Sequence, residues 1–537
     1  MTASGRSRFP RPALSRLGAL TLTLLILGSC AAAPQQQAAG ESQFDEGQVR
    51  RMFSAGYQDI SSVYIREIPV EDLAMHALRG LSDIDPSIAV TQDGKTFVMT
   101  VGGLRAGQYD MPEGDSSGPW ARATAEAVAD TRKLSKPLAD TPIESVYETM
   151  FDAMLTQLDT YSRYAGRDEA RENRASRDGF GGIGVRIRVV EEGVRVMDVM
   201  EGTPAEAAGL KNDDLIVSID GESAVGLDQR DVVRRLRGPL DSKVEMTVRR
   251  EGVGQPIKLD ITRAHIVPQT VSYHPEGREA YFKVTGFNQN TTRSLRDKIL
   301  EAQHEMGGNL AGYILDLRGN PGGLLDQSVT VADLFIGHGR IVSTHGRHPD
   351  SHQYFDAQDD VITGGRPVVA LVNGNSASAS EIVAAALQDS GQAVIVGSNS
   401  FGKGTVQTVL RMPNEGELTL TWARFHAPSG YALQHRGVLP DICTSTDVGG
   451  ADEVVDRLVA GQLPIARAVR QADIQPDDET ALAALRARCP TRETESEIDV
   501  KVARRLIEDP GLYARARGDA PTNTADRGHA VAAAVVK

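Results

Sequence analysis

Hydrophobic and polar positions along this chain change their period from segment to segment, and those changes divide it. Leu17 to Leu27 is an apolar run interrupted only by Thr21 and Thr23. From Val49 to Gly56 and from Pro69 to Leu81 the apolar residues return at the spacing of a helix with one buried face. From Gly179 the period becomes two, through Gly184 to Val189, Gly193 to Met197 and Asp214 to Ile219. A hairpin follows, alternating at Val244, Met246 and Val248 and again at Ile257, Leu259 and Ile261, and short helices are predicted at Pro204 to Ala208 and Gln229 to Leu236. Beyond residue 267, apolar strands at Gly312 to Leu317 and Pro367 to Val372 each run through a turn into a helix, the first from Leu324 to Leu334. Apolar strands alternating with helices predict a largely parallel sheet in an α/β layer. After residue 446 the pattern is helical, with Ser496 and Asp499 predicted as a capping box before Val502, Leu506 and Ile507. The last twenty or so residues are expected to be disordered.

Composition narrows the class. A chain of 537 residues is too long for one core. With 24% charged and 40% hydrophobic residues it reads as a soluble globular protein beyond its N-terminus. A formal charge of -14 argues against nucleic acid, whose phosphates call for a basic stripe. Arg6, Arg8, Arg11 and Arg16 ahead of Leu17 to Leu27 predict a targeting segment, and the apolar run is too short to span a bilayer comfortably. Leu27-Gly-Ser-Cys30 resembles a bacterial lipobox, which implies cleavage before Cys30, its acylation, and lipid anchoring to a membrane at the periplasm or cell envelope. A plain cleaved signal, with Cys30 incidental, is the alternative. Residues 31–45 read as a tether. Three cysteines exclude a disulfide framework or zinc ribbon. Setting Cys30 aside leaves Cys443 and Cys489 as a bridge, worth roughly 4 kcal/mol if unstrained, or as two buried thiols.

The chemistry concentrates between residues 366 and 410. A strand runs through Asn373-Gly-Asn375 into Ser376-Ala-Ser378-Ala-Ser380-Glu381, and the next strand ends in Ser400-Phe-Gly-Lys403-Gly. A small hydroxyl at a helix start followed one strand later by a glycine-flanked lysine suggests a serine nucleophile and a lysine base. Asn375 to Glu381, Gln388-Asp389, Phe401 to Gly404, Val406-Gln407, Ala427-Pro-Ser-Gly430 and Gln434-x-x-Gly437-x-x-Pro440-Asp441 together resemble the carboxyl-terminal processing peptidases, also called tail-specific proteases. The strand order from Gly179 is similar to a PDZ domain of the bacterial protease type, with Gly181-Gly182-Ile183-Gly184 as its carboxylate-binding loop.

The resemblance implies a multidomain α/β protein. Residues 1–30 would be a signal with lipobox, 31–45 a linker, 46–178 a mainly helical region, 179–266 the PDZ domain, 267–445 a crotonase-like peptidase core and 446–537 a helical extension. Ser376, Ser378 and Ser380 are alternatives by composition; the family's spacing to the lysine selects Ser378. Lys403 would act as general base, its pKa lowered by burial without a carboxylate partner. Gln407 would orient its amine, Asp389 would support the site, and N–H groups of Ala379 and of Gly322 or Gly323 in Asn-Pro-Gly-Gly would form the oxyanion hole. The reaction needs no cofactor or metal. Its substrates would be proteins with apolar C-termini; an activating adaptor and a homodimer through the terminal helices are candidate partners. A second class of function is a catalytically silent envelope scaffold.

Other constellations compete. Ser400-x-x-Lys403 matches the Ser-x-x-Lys of penicillin-binding enzymes, but Gly402 and Gly404 speak against the helical turn that motif needs. His426 or His435 could complete a Ser-His-Asp triad, though neither sits in a recognisable motif. His345, His348 and His352 with Asp350 have zinc-like spacing, yet Gly346 and Pro349 break the helix that would align them, so a solvated loop is expected. Finally, His76 to Ser87 and Asp152 to Ser162 resemble each other, and both resemble the family's helix-to-Leu-Asp-x-x-Ser step, which normally occurs once.

Overall fold

The computed structural model describes residues 44–358, 361–446, 449–460, 462, 469 and 474–518. The targeting segment, Cys30, most of the linker and the tail expected to be disordered lie outside the described residues. The helical region opens on Glu46–Val63, whose Asp45 caps it by accepting the Gly47 N–H, and continues through Val70–Gly80, Ser117–Leu134 and Ile143–Leu155. Helical spacing predicted the first two. Between them and the third stands a three-stranded antiparallel meander, Ile88–Asp93, Thr96–Val101 and Leu104–Asp110. Aromatic stacking joins the parts, with Phe53 on Phe151 and Phe97 between Tyr109 and Trp120.

The two resembling segments are partners in space. Gly80 approaches the Ile143–Leu155 helix so closely that a Cβ there would lie 2.5 Å from that of Ala153. Each helix then ends in the same device: Asp85 accepts the N–H of Ser87, and Asp159 accepts those of Tyr161 and Ser162. The first copy turns into the meander. The second delivers Tyr161 and Arg163–Ala165 to the peptidase core, where that short strand pairs with Glu417–Thr419.

Residues 183–262 form a separate antiparallel sheet. Its order is Ile257–Thr262, Lys243–Arg249, Leu215–Ile219, Gly193–Val199 and Val185–Val190, leaving the last as an open edge. The alternation at Val244, Met246 and Val248 buries all three against Val194, Val196, Ile216 and Val232. A two-stranded ribbon, Phe180–Gly182 with Ala264–Ile266, leads the chain in and out.

In the core, a six-stranded sheet runs Val271–Glu276, Glu279–Val284, Gly312–Asp316, Val368–Val372, Val394–Gly397, Ile442–Cys443; its first pair is antiparallel and the rest parallel. Period-two alternation gives it two apolar faces. Leu315, Val368, Ala370, Val372 and Ile395 meet the helices Thr291–Met306, Leu325–Asp333 and Ala379–Asp389. Ile314, Val369, Leu371, Val394 and Val396 meet Ala451–Val459, Glu497–Glu508 and Pro510–Arg517. The segment read as a C-terminal extension is therefore the cover of this sheet's second face. Ser496 caps its helix through Ile498 N–H, but Asp499 does not close the expected capping box: its carboxylate turns inward to Arg318, Arg492 and Thr444. A second antiparallel sheet, Gln353–Asp356, Arg340–Gly346, Glu417–His426 and Thr405–Arg411, carries the lysine side of the site.

Candidate active site

Ser378 stands at the N-cap of Ala379–Asp389, in a left-handed conformation at φ +57° that few residues other than glycine adopt. The flanking serines hold it there. Ser376 Oγ donates to the Leu317 carbonyl and accepts Asn373 N–H, and Ser380 Oγ donates to the Asn320 carbonyl, so both are packing hydroxyls that fasten the Ser378 loop to the Asn-Pro-Gly-Gly loop. That second loop is pinned in turn. Asn320 accepts Gly322 N–H and donates to the Val284 carbonyl. Beneath it Arg318 clamps Asp316 through two N–H groups at 2.9 and 2.8 Å, and Lys283 adds an ammonium at 3.0 Å. Burial pushes the Asp316 carboxyl up, but the Arg318 and Lys283 charges outweigh it and hold the group below its ordinary value.

Gly322 fits closely under the serine. A Cβ on it, at φ +105°, would lie 2.9 Å from Ser378 Cβ and 3.0 Å from Ala379 N. Gly323, at φ +149°, lies against the backbone of Phe287, where a side chain would have no room. Gly322 N–H is spent on Asn320, whereas the N–H groups of Gly323 and Ala379 have no partner among the described residues.

The group that joins the halves of the site is one that sequence reasoning left without a role. Glu381 is wholly buried and accepts four hydrogen bonds: Ser400 Oγ at 2.5 Å and Gly402 N–H at 2.7 Å on Oε1, Ser378 N–H at 2.7 Å and Lys403 N–H at 2.9 Å on Oε2. One carboxylate oxygen thus holds the backbones of Ser378 and Lys403 together. Burial pushes this carboxyl up, while the four donors favour the ionised form; because Ser400 Oγ already accepts Val438 N–H, its own proton points at the carboxylate. A glutamate at the third position of a fully buried helix was the available signal, since such a charge requires partners.

Lys403 is half-buried, with Nζ 4.9 Å from the centre of the Tyr161 ring. Burial lowers its pKa and the nearby Arg163 charge lowers it further, against the pull of Glu381 and Asp159. No hydrogen bond joins Lys403 Nζ to Ser378 Oγ. The expected hydrogen bond from Gln407 is also missing: its amide donates to Thr405 and Thr421, at a bulge between Val406 and Gln407 that turns the strand locally. Asp389 lies at the other end of the Ser378 helix, where it accepts the N–H and O–H of Ser429 and so anchors the Ala427–Gly430 turn.

The remaining candidates fall elsewhere. Ser400 serves Glu381, so Ser400-x-x-Lys403 is not a catalytic pair here. His426 packs its ring on His345, and His435 contacts Gln434; neither bonds Ser378. His345 and His352 face each other at 3.3 Å across a β-hairpin rather than in the expected loop, while His348 caps the turn. Among the described residues no three His, Cys, Asp or Glu side chains converge as a metal would require. In the PDZ-like sheet, Gly181 and Gly182 are not a free loop: they pair with His265 and Ala264, and Gly181 accepts Gly238 N–H. Gly184 packs on Thr203 at the head of the open strand, and Ile183 is buried. Cys443 and Cys489 are bonded to each other.

A two-faced α/β core with a strained serine at a helix N-terminus and a half-buried lysine beside it, attached to a small β-domain with an open edge, defines a serine hydrolase that can handle peptides. Residues 278–444 match the model of peptidase family S41, and residues 195–250 that of a PDZ domain. The carboxy-terminal-processing protease of Bartonella bacilliformis is 40% identical over 301 residues, 56% of this chain and 69% of the relative. The carboxy-terminal processing protease CtpA of Bacillus subtilis is 31% identical over 358 residues, 66% of this chain and 74% of the relative. Among solved structures, the photosystem II D1 C-terminal processing protease aligns at 24% identity over 74% of this chain and 93% of its own, with a TM-score of 0.37. The chain belongs to the carboxy-terminal processing proteases of peptidase family S41, serine-type peptidases with a PDZ domain.

Proposed function

We propose that this protein is an exported serine endopeptidase that cuts envelope proteins at or near apolar C-termini, using Ser378 as nucleophile and Lys403 as general base. The observation that carries this reading is the single Glu381 oxygen bonded to both Ser378 N–H and Lys403 N–H, which ties the backbones that carry the hydroxyl and the half-buried amine to one point. Ser378 Oγ gives its proton to the neutral Lys403 amine as it attacks the scissile carbonyl carbon, and Ala379 and Gly323 N–H groups receive the oxyanion. The Lys403 ammonium then protonates the departing amine. Water, deprotonated by Lys403, attacks the acyl ester and releases Ser378. The separated hydroxyl and amine of this structure are a resting arrangement that substrate, tail binding or an adaptor closes.

The PDZ edge strand Val185–Val190 takes the substrate tail as an added strand, with Ile183–Gly184 at its head facing the terminal carboxylate. Export and lipid anchoring through Cys30 rest on the sequence, and a homodimer through the terminal helices is part of the same proposal. The test is cleavage of an unfolded protein with an apolar tail by the wild type, Ser378→Ala and Lys403→Ala. Loss in both folded variants supports the dyad; equal cleavage by all three overturns it. Silence in all three, with tail peptides still bound, favours the scaffold reading.

A further inference from the structure

The match to the peptidase family ends at residue 444, yet the chain beyond it returns to the site. At the end of the helix Glu479–Arg486, the two N–H of Arg486 Nη1 are shared among four carbonyls, that of Arg436 at 3.1 Å and those of Ser400, Phe401 and His435 at 3.4 Å each. No carboxylate bonds this guanidinium among the described residues; carbonyl dipoles meet its charge, and buried Glu381 lies within its electrostatic reach. A planar fork of donors suits this task, because it fixes several acceptors in one geometry.

Six residues on, the same segment reaches the other loop. Arg492 accepts Gly374 N–H at 2.8 Å and donates its own N–H to Ser398 Oγ at 3.1 Å. The Glu493 carbonyl accepts Nδ2 of Asn373 at 2.7 Å and of Asn375 at 3.3 Å. Asn373 to Asn375 lead into Ser378, and Ser398 to Phe401 lead into Lys403. Between the two sets of contacts, Cys489 is bonded to Cys443 at the end of the core sheet, closing a span of 46 residues.

We propose that Arg486–Glu495 is a brace that fixes the spacing of the Ser378 and Lys403 loops, with Arg486 as its positioning residue and the Cys443–Cys489 bond as its lock. Without the bond, holding the segment in register costs the closure entropy of a long loop. A dithiol reductant opens the lock by giving two electrons and two protons to the cystine, yielding two thiols and its own cyclic disulfide. The catalytic consequence rests on the Ser378–Lys403 reading; the structural one does not.

The test uses the full chain as wild type, Arg486→Gln, Arg486→Lys and the double variant Cys443→Ser/Cys489→Ser, each with and without dithiothreitol. Amide hydrogen exchange is followed in peptides covering 373–378 and 398–404. Exchange in both loops is expected to rise about tenfold or more in Arg486→Gln, in the double variant and in reduced wild type, with Arg486→Lys between and the double variant insensitive to reductant. In the same samples kcat should fall about tenfold or more with KM within about twofold, the pattern of misplaced groups rather than lost binding. Unchanged exchange in the two loops overturns the brace, as does a rise spread evenly over the whole core. If Ser378→Ala cleaves like the wild type, the catalytic reading fails, and the exchange result still decides the brace.

Discussion

Glu381 ties both halves of the site through backbone groups, so its charge cannot be replaced by an amide. In Glu381→Gln, whichever way the amide turns, its NH2 faces a pair of donors. A stability loss of about 1–3 kcal/mol is expected from the stranded donors, measured by denaturant midpoint. Cleavage should fall by about a hundredfold or more as the serine and lysine backbones separate, measured as kcat/KM. With Lys403 as the proposed base, the site's pH dependence follows from its amine. Burial, then Arg163, lower its pKa, so the neutral amine forms below the ordinary lysine value of 10.5 and the rate rises with pH through that lowered value. Arg163→Ala should move this acid limb to higher pH in a pH–rate profile, and an unmoved limb would remove Arg163 from the account. The same lowered pKa costs stability. The folded state disfavours the ammonium at every pH below the lowered pKa, and this penalty fades as pH rises toward 10.5. Lys403→Met should therefore melt higher than wild type at neutral pH, with the gap closing on the alkaline side. The settings of Ser378 and Lys403, a helix start and a glycine-flanked loop, were legible because the residues that make them are local: alanines, glycines and the helix pattern. Glu381 was not, since its donors from Ser400, Gly402 and Lys403 arrive from the loop between the strands Val394–Gly397 and Thr405–Arg411, and only folding brings them to it.

At the scale of elements, the strand–turn–helix units were readable to within a residue or two, because apolar runs ending in glycine and asparagine carry their own stop signals. The loop after Asp316 shows what such a turn must satisfy. Gly322→Ala would put a methyl 2.9 Å from Ser378 Cβ at a φ that L residues avoid. It should cost about 1–3 kcal/mol and about a hundredfold in activity, read by thermal melting and by covalent labelling of Ser378. Two elements and one residue were hidden from the sequence. The meander at 88–110 has an edge-exposed, mixed pattern with only Phe97, Met99 and Val101 as a buried row. The ribbon Phe180–Gly182 contains two glycines that read as a loop until Ala264–Ile266, more than eighty residues away, pairs with them. Asp499 looked like a capping residue because its position in the helix is right for one; its burial beside Arg318 and Arg492 is tertiary.

Across the whole molecule, the PDZ unit and the peptidase core have separate hydrophobic clusters and are joined through the ribbon. Replacing residues 183–263 by Asn-Gly would turn the ribbon into a two-residue hairpin, since Gly182 and Ala264 already face each other. The shortened chain should remain folded, with the melting temperature of the core within a few degrees, and should lose its preference for tailed over tailless substrates. Failure to fold would show that the PDZ unit supports the core.

The sheet's second face has a further consequence in time. Its cover comes from 451–459 and 497–517, all later in the chain than Ser378 and Lys403. A growing or prematurely ended polypeptide would carry Ser378 and Lys403 while Ile314, Val369, Leu371 and Val396 still lacked their partners. Apolar surface of that extent does not stay in a settled fold in water. On the Ser378–Lys403 reading, cutting power would mature only when synthesis is done, and broken chains would be left as substrates for proteolysis rather than as proteases.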